Sequence, residues 1–351
     1  MSDKKYFQHL LRLSPLHKMR LYHLARFYSK QGRMRKIVKA HGGDLRVLKP
    51  LMKKAMVDYH WDFEEFFMYN FQSLSHKERK TFVPEYEKNV FCDKVNDFKG
   101  SKVFDSKWET YRVFSDFFKR DCVLVPSSPD WSRNLELTTF LAKHQSFILK
   151  PDSAASGRGI SIIHAIGSED AIRQITDQIK NKNGRYVLEE LISQSLEMAK
   201  YHPSSVNSLR IRTFRFDDRV EILPSNMRIG CGDSVVDNTG KGGISVALDS
   251  DGKAISACNE AGVYYETHPD TGEQIIGKKV PSWEDALDLA RRLAQVVPSV
   301  RYVGWDLALT DTGWVMIEGN DKGMFVGIQK PTQKGFRPRL DMILSEMDIR
   351  L

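Results

Sequence analysis

The amino-acid sequence changes character at about residue 96. Before that point apolar residues recur at helical spacing and no strand pattern interrupts them. After it, short apolar runs alternate with polar stretches of helical period. Strands are expected at 147–150, 160–163, 186–191, 209–216, 220–223, 301–309 and 314–318, and helices at 168–181 and 282–297. A further β-rich run, CVLVP at 122–126, ends on proline. Sheets carrying helices without a regular strand–helix–strand repeat make an α+β fold, here preceded by a helical region. At 351 residues the chain exceeds one small core, so two or three lobes are expected.

The net charge of +8 is unevenly placed. Residues 1–54 hold 15 Lys/Arg against Asp3 and Asp44, whereas the rest holds 38 basic against 43 acidic side chains. Within the basic segment Ser14 is a suitable N-cap and Pro15 a suitable first helical residue. Leu16, Met19, Leu24 and Phe27 then follow at helical spacing as far as Gln31-Gly32, and a second basic stretch, RMRKIVKAHGG, covers 33–43. Ser75 and Glu78 form a capping arrangement further on. Three readings of the basic segment stay open: a solvated helical face, a contact for an anionic membrane surface or lipid-linked glycan, and a nucleic-acid arm. No nucleic-acid fold motif or aromatic platform supports the last.

No run of 18 apolar residues occurs, and the N-terminus lacks the pattern of a secretory signal. A cytoplasmic chain is expected, peripheral at the inner membrane face if the basic segment meets lipid. Cys92, Cys122, Cys231 and Cys258 are far apart, with no CxxC and no histidine at zinc spacing, so buried free thiols are expected rather than disulfides or a structural metal.

Three segments carry candidate chemistry. In FILKPDSAASGRGIS (147–161) a strand delivers Lys150 and the chain enters a loop of small residues, Ser156, Gly157, Arg158 and Gly159 among them. Such a loop lets backbone N–H groups approach an anion, and the ammonium beside it suits phosphate, although a plain flexible hairpin has the same composition. The Walker pattern is absent. In RYVLEELISQSLE (185–197) the strand end at Glu189, Glu190, Leu191 and Ile192 offers backbone groups to a purine, and a carboxylate such as Glu190 or Glu197 suits ribose hydroxyls. In VGWDLALTDTGWVMIEGN (303–320) a turn at 310–313 folds Asp306 towards Glu318 and Asn320. Hard oxygen ligands without His or Cys suit Mg²⁺, or Mn²⁺.

Together these motifs resemble the ATP-grasp superfamily, and over residues 60–345 the sugar-transfer-associated ATP-grasp proteins, relatives of the α-L-glutamate ligases. The resemblance implies two α+β subdomains clasping ATP. It divides the chain into a helical basic region at 1–95, an N-terminal subdomain at 96–145, a small lid at 146–190 and a C-terminal subdomain with the metal site at 191–351. It makes Lys107, in DSKWETY, the first nucleotide lysine and Lys150 the second, places adenine at 190–192 and gives Glu197 to the ribose. SLRIRTF, NMRIG and NTGKGGI supply Arg210, Arg228 and Asn238 to the γ-phosphate and a substrate carboxylate. Asp306, Glu318 and Asn320 become the metal ligands, Glu318 bridging and Asn320 neutral. HPDTG at 268–272 and VPSW at 280–283 also match the subfamily, without a chemical role.

The implied activity is a carboxylate–amine ligase: Mg²⁺-ATP makes an acyl phosphate and an amine displaces phosphate to give an amide. A sugar acid or glycan of surface polysaccharide is the implied carboxylate. A phosphotransferase that stops at the phosphorylated acceptor, and a nucleotide-binding membrane-associated protein without turnover, are the alternatives.

Overall fold

The computed structural model describes residues 14–126, 131, 134–153, 159–180, 184–234, 237, 240 and 242–351. They form two compact units, residues 1–91 with 324–351, and residues 92–323.

The first unit is helical. Helices α1 (Pro15–Ser29), α2 (Gln31–Ala40), α3 (Leu45–Tyr59) and α4 (Phe63–Met68) pack around Phe27, Trp61, Phe63, Phe66, Phe71 and Phe82. Ser14 caps α1 through the N–H of His17, with Pro15 at the first turn, and Ser75 and Glu78 close the expected capping box. Asp62 and Glu65 make a second capping box at α4. The C-terminal helices, Val326–Thr332 and Arg337–Glu346, belong to this unit rather than to the sheets before them. Their anchor is the fully buried Gln329, whose amide oxygen accepts from the N–H of Val83 at 2.8 Å and of Phe336 at 3.0 Å while its nitrogen donates to Val83 O. Gly335 lets the backbones touch, since a Cβ there would lie 2.1 Å from the carbonyl carbon of Thr81. Such a glutamine buries its polar atoms only because every one has a partner.

The second unit holds α6 (Lys107–Phe118), reached through α5 (Glu85–Val95), and two antiparallel sheets. The smaller sheet has the order β1 (Cys122–Leu124), β4 (Tyr186–Glu190), β2 (Ser146–Pro151), β3 (Ser161–His164), with α7 (Leu135–Lys143) and α8 (Ser168–Ile179) packed on it. It therefore takes in a strand and a helix upstream of 146. The larger sheet has the order β10 (Gly313–Asn320), β9 (Tyr302–Thr310), β5 (Ser208–Arg215), β6 (Val220–Ile229), β7 (Ile244–Leu248), β8 (Ala254–Cys258). Helix α9 (Trp283–Val296) lays Ala286, Ala290 and Leu293 against it, in one core with Leu209, Ile211, Trp305, Leu307 and Met316.

Three strand expectations are corrected. β7 and β8 were not expected: each is five residues long and includes small side chains, so neither shows clean alternation. β6 does not stop at Leu223. Pro224 and Ser225 together oppose the single residue Ile211, a bulge that accommodates a proline inside a paired strand. β4 ends at Glu190, leaving Leu191 and Ile192 outside the ladder. The burial expected of the thiols holds for two of them: Cys92 and Cys258 are buried, Cys122 and Cys231 are half-buried, and none of the four is joined in a disulfide. Among the described residues no helix is long and apolar enough to cross a membrane.

Candidate functional site

The hairpin β9–β10 sets the geometry. Met316 pairs with Leu307 and Glu318 with Asp306, so Ile317 is the extra residue of a β-bulge. Trp314 and Met316 face the core; without the bulge Glu318 would follow them there. The bulge turns Glu318 to the opposite face, beside Asp306, and Asn320 reaches Glu318 with its amide at 3.3 Å. Gly319 lies between them because any side chain would strike the rings of Phe104 and Trp305.

Arginines from the neighbouring strands converge on the same place. Arg210 stands opposite Asp306 in the β5–β9 ladder and grips its carboxylate through both Nε and Nη2, the latter at 2.7 Å. Arg228, on β6, places Nη2 2.7 Å from Oδ2 of Asp306, the oxygen that also accepts from Nη2 of Arg210. Burial opposes the charge on Asp306, but Arg210 and Arg228 outweigh it and hold the carboxyl far below the usual range. Glu318 goes the other way: burial, then the charge of Asp306, raise its pKa. One firmly ionised and one reluctantly ionised carboxylate therefore sit side by side. With the amide oxygen of Asn320 they form an all-oxygen donor set that fits Mg²⁺ or Mn²⁺ and lacks the softer ligands of other metals.

Lys150, on β2, ion-pairs with Glu189 of β4, both buried. Burial disfavours the Glu189 charge, yet Arg120 and Lys150 together keep its carboxyl below the ordinary range. Lys107 is the first residue of α6, half-buried behind the Ser106 cap. Burial lowers its pKa, Glu318 raises it and Lys150 lowers it, so this lysine senses the carboxylate of one sheet and the lysine of the other. The structure thus brings Lys107, Lys150, Glu189 and the Asp306–Glu318–Asn320 shelf within electrostatic reach.

A profile of the sugar-transfer associated ATP-grasp family matches residues 86–345. The chain belongs to that family. No curated protein matches the sequence. Among solved structures the chain is similar to N5-carboxyaminoimidazole ribonucleotide synthetase in its ADP complex (10% identity, TM-score 0.40, covering 64% of this chain and 46% of that one). It is also similar to D-alanine–D-alanine ligase from Bacillus anthracis complexed with ATP (11% identity, TM-score 0.43, 71% and 68%). A third is the ATP-grasp ligase PsnB complexed with precursor peptide PsnA2 and AMPPNP (16% identity, TM-score 0.43, 72% and 62%). The chain thus spans less than two thirds of the first and third, and slightly more of the second.

The remaining sequence-derived positions of this ATP-grasp chain fall less tightly. Glu190 accepts from the N–H of Asp121 at 3.0 Å, and its own N–H donates to Asp121 O, so this side chain ties β4 to the start of β1. Leu191 and Ile192 are half-buried beyond the strand end. Glu197 is exposed on the short helix Leu196–Ala199 and lines a hollow of about 510 Å³ with Lys200, Lys279 and Trp283. Gly159 has φ +72°, and a Cβ there would press on Pro151. Ser156, Gly157, Arg158 and Asn238 lie outside the described residues.

Two neighbours escaped the sequence reading. The side chain of Arg120 is buried, donates to the carbonyls of Met316 at 2.6 Å and Phe118 at 3.1 Å, and puts Nη2 3.3 Å from Glu189. Asp152, buried two residues after Lys150, accepts from the hydroxyl of Ser106, the N–H of Trp108 and the guanidinium of Arg185. It binds the end of β2 to the first turn of α6 and so fixes the two candidate nucleotide lysines relative to each other. A carboxylate directly after a lysine-bearing strand was the available signal for Asp152; Arg120 left none.

Proposed function

We propose that this chain is an ATP- and Mg²⁺-dependent carboxylate–amine ligase, acting on a sugar acid or glycan of surface polysaccharide. The observation that carries the reading is the Asp306–Glu318–Asn320 shelf within electrostatic reach of Lys107, which also senses Lys150 and Glu189. Phosphoryl transfer depends on positioning and charge neutralisation more than on covalent help, and those are what this set of residues offers. Asp306, Glu318 and Asn320 would hold Mg²⁺, which would supply positive charge against the phosphates of ATP.

In this reading Lys107 and Lys150 hold the phosphates of ATP, the strand end at 190–192 receives adenine and Glu197 the ribose. Ser156, Gly157, Arg158 and Gly159 contribute to phosphate binding, and Arg210, Arg228 and Asn238 take the γ-phosphate and the substrate carboxylate. A carboxylate oxygen forms a bond to the γ-phosphorus as the bond to ADP breaks. The amine nitrogen then bonds to the acyl carbon as the carbon–oxygen bond to phosphate breaks, and one amine proton leaves with the phosphate or to water. Arg210 and Arg228, already placed by Asp306, neutralise charge at both stages.

A phosphotransferase would use the same ATP half-site and differ only in keeping phosphate on its acceptor. A non-catalytic nucleotide-binding protein would have no use for an intact set of metal-ligand side chains. A panel of uronic acids crossed with amino acids and amines, monitored for ADP release and by mass spectrometry, tests the reading. A product lighter by one water than its two substrates supports it, and a phosphorylated acid as end product refutes it.

A further inference from the structure

The turn HPDTG at 268–272 has no part in the proposed ligation, yet it closes on the end of β6. A ring nitrogen of His268, Sγ of Cys231 and a carboxylate oxygen of Asp270 all lie within 4.8 Å of one another. We propose that Cys231, His268 and Asp270 bind a Zn²⁺ ion, with water as its fourth ligand.

Thiolate, imidazole and carboxylate form a mixed donor set that zinc accepts and magnesium does not. It contrasts with the all-oxygen shelf at Asp306. The histidine is prepared for the task. Its Nε2 lies 2.8 Å from the carbonyl oxygen of Gly230, and Nδ1 accepts a long contact of 3.3 Å from the N–H of Asp270. That arrangement puts the proton on Nε2 and a lone pair on Nδ1, and the ion would displace the long contact from the Asp270 N–H to take that lone pair. A zinc-bound imidazole commonly donates its other N–H to a backbone carbonyl in this way.

Hydrogen bonds cross-link the surrounding segments. The N–H of Gly232 donates to Asp270 at 2.6 Å, and the carbonyl of Gly232 meets Nε2 of His202 at 2.8 Å. Nδ1 of His202 is bonded in turn to Ser205. Gly230 admits no side chain, because a Cβ would lie 2.1 Å from the Ser205 hydroxyl. The ligands are therefore positioned before any ion arrives. The Cys231 thiol is hydrogen-bonded to Asp270. On binding, its S–H bond breaks, the proton leaves to water, and the thiolate forms the bond to zinc.

The ion would fasten the exit of β6, just beyond Arg228, to a turn distant in sequence. Its role is to hold the strand that carries Arg228, separate from the ATP site. Histidine and cysteine far apart along the chain explain why spacing alone excluded a structural metal.

The test uses the full-length chain, stripped by a chelator, then titrated with Zn²⁺ against a chromophoric competitor and with Co²⁺ as a spectroscopic probe. One Zn²⁺ per chain is expected, and a thiolate-to-cobalt charge-transfer band. Cys231→Ser should remove that band, and Cys231→Ser and Asp270→Asn should each weaken Zn²⁺ binding by about tenfold or more. Absence of binding, or a band that persists in Cys231→Ser, overturns the proposal. A measurement on the unaltered protein stands beside these variants should they fail to fold: Zn²⁺ should slow alkylation of Cys231, mapped by peptide mass spectrometry, by at least about tenfold. An unchanged Cys231 rate also overturns it.

Discussion

Glu318 stands directly across the β9–β10 ladder from Asp306 because Ile317 is a bulge. Burial and the charge of Asp306 raise the pKa of Glu318, so its ionised form is disfavoured in the folded chain. Glu318→Gln removes that cost together with a metal ligand. The variant should melt at or above the wild-type temperature in the absence of metal, while the Mg²⁺ concentration for half-maximal ADP release rises by about tenfold or more. A melting scan with chelator and a Mg²⁺ titration check the two halves. An unchanged Mg²⁺ requirement would remove Glu318 from the metal shell.

Lys150 and Arg120 share one buried partner, Glu189. Removing one member of a buried ion pair costs about 3–5 kcal/mol when the other charge is left uncompensated. Here each cation covers for the other. Lys150→Ala should therefore lose ATP turnover but keep most of its stability, and the double variant Lys150→Ala/Arg120→Ala should lose more stability than the two single changes added together. Urea midpoints for the four proteins give the coupling directly. Additive losses would mean that Glu189 does not depend on the pair.

Glu65, buried in the capping box of α4, has its pKa raised from 4.5 to about 7, burial outweighing its two backbone hydrogen bonds. A raised carboxylate pKa favours folding below the unfolded value and loses that contribution as pH climbs through the folded one. Between pH 4.5 and 7 the wild type should accordingly lose about 3 kcal/mol relative to Glu65→Gln, whose side chain does not titrate. Chemical denaturation at a series of pH values gives the difference; a flat profile would contradict the assignment.

Arg35, Lys36 and Lys39 are exposed on α2, in the segment that carries the positive excess. If residues 1–54 meet an anionic membrane or lipid-linked glycan, changing these three to Gln should weaken co-sedimentation with phosphatidylserine vesicles by about 3 kcal/mol, near 1 kcal/mol per charge, and less at high salt. Equal co-sedimentation of wild type and variant would dismiss the contact.

Much of this was legible along the chain. The helical first unit, the apolar strands and the acid–x–amide end of β10 follow from local pattern, and Ser14 and Ser75 announce their caps by type and spacing. What was not legible depends on partners elsewhere. Ile317 reads as one more strand residue, and only its pairing shows that it reverses the face of Glu318. Arg120 reads as a surface charge after a helix; its burial requires Glu189 and the carbonyl of Met316. Pro224 reads as a stop because a proline ends most strands, and Ile211 across the ladder makes it a bulge. Gln329 gives no sign that it is a keystone until Val83 is beside it. Local chemistry is written locally, whereas register and burial are joint properties of distant segments.

The central claim is that ATP is used to activate a carboxylate for amide formation. The direct measurement takes the sugar acid that best stimulates ADP release, labels its carboxylate with ¹⁸O, adds the amine and analyses the released phosphate by mass spectrometry. An acyl phosphate passes one carboxylate oxygen to the phosphate, so one ¹⁸O atom per phosphate is the predicted result. Unlabelled phosphate, or label retained in a phosphorylated acid, would contradict it.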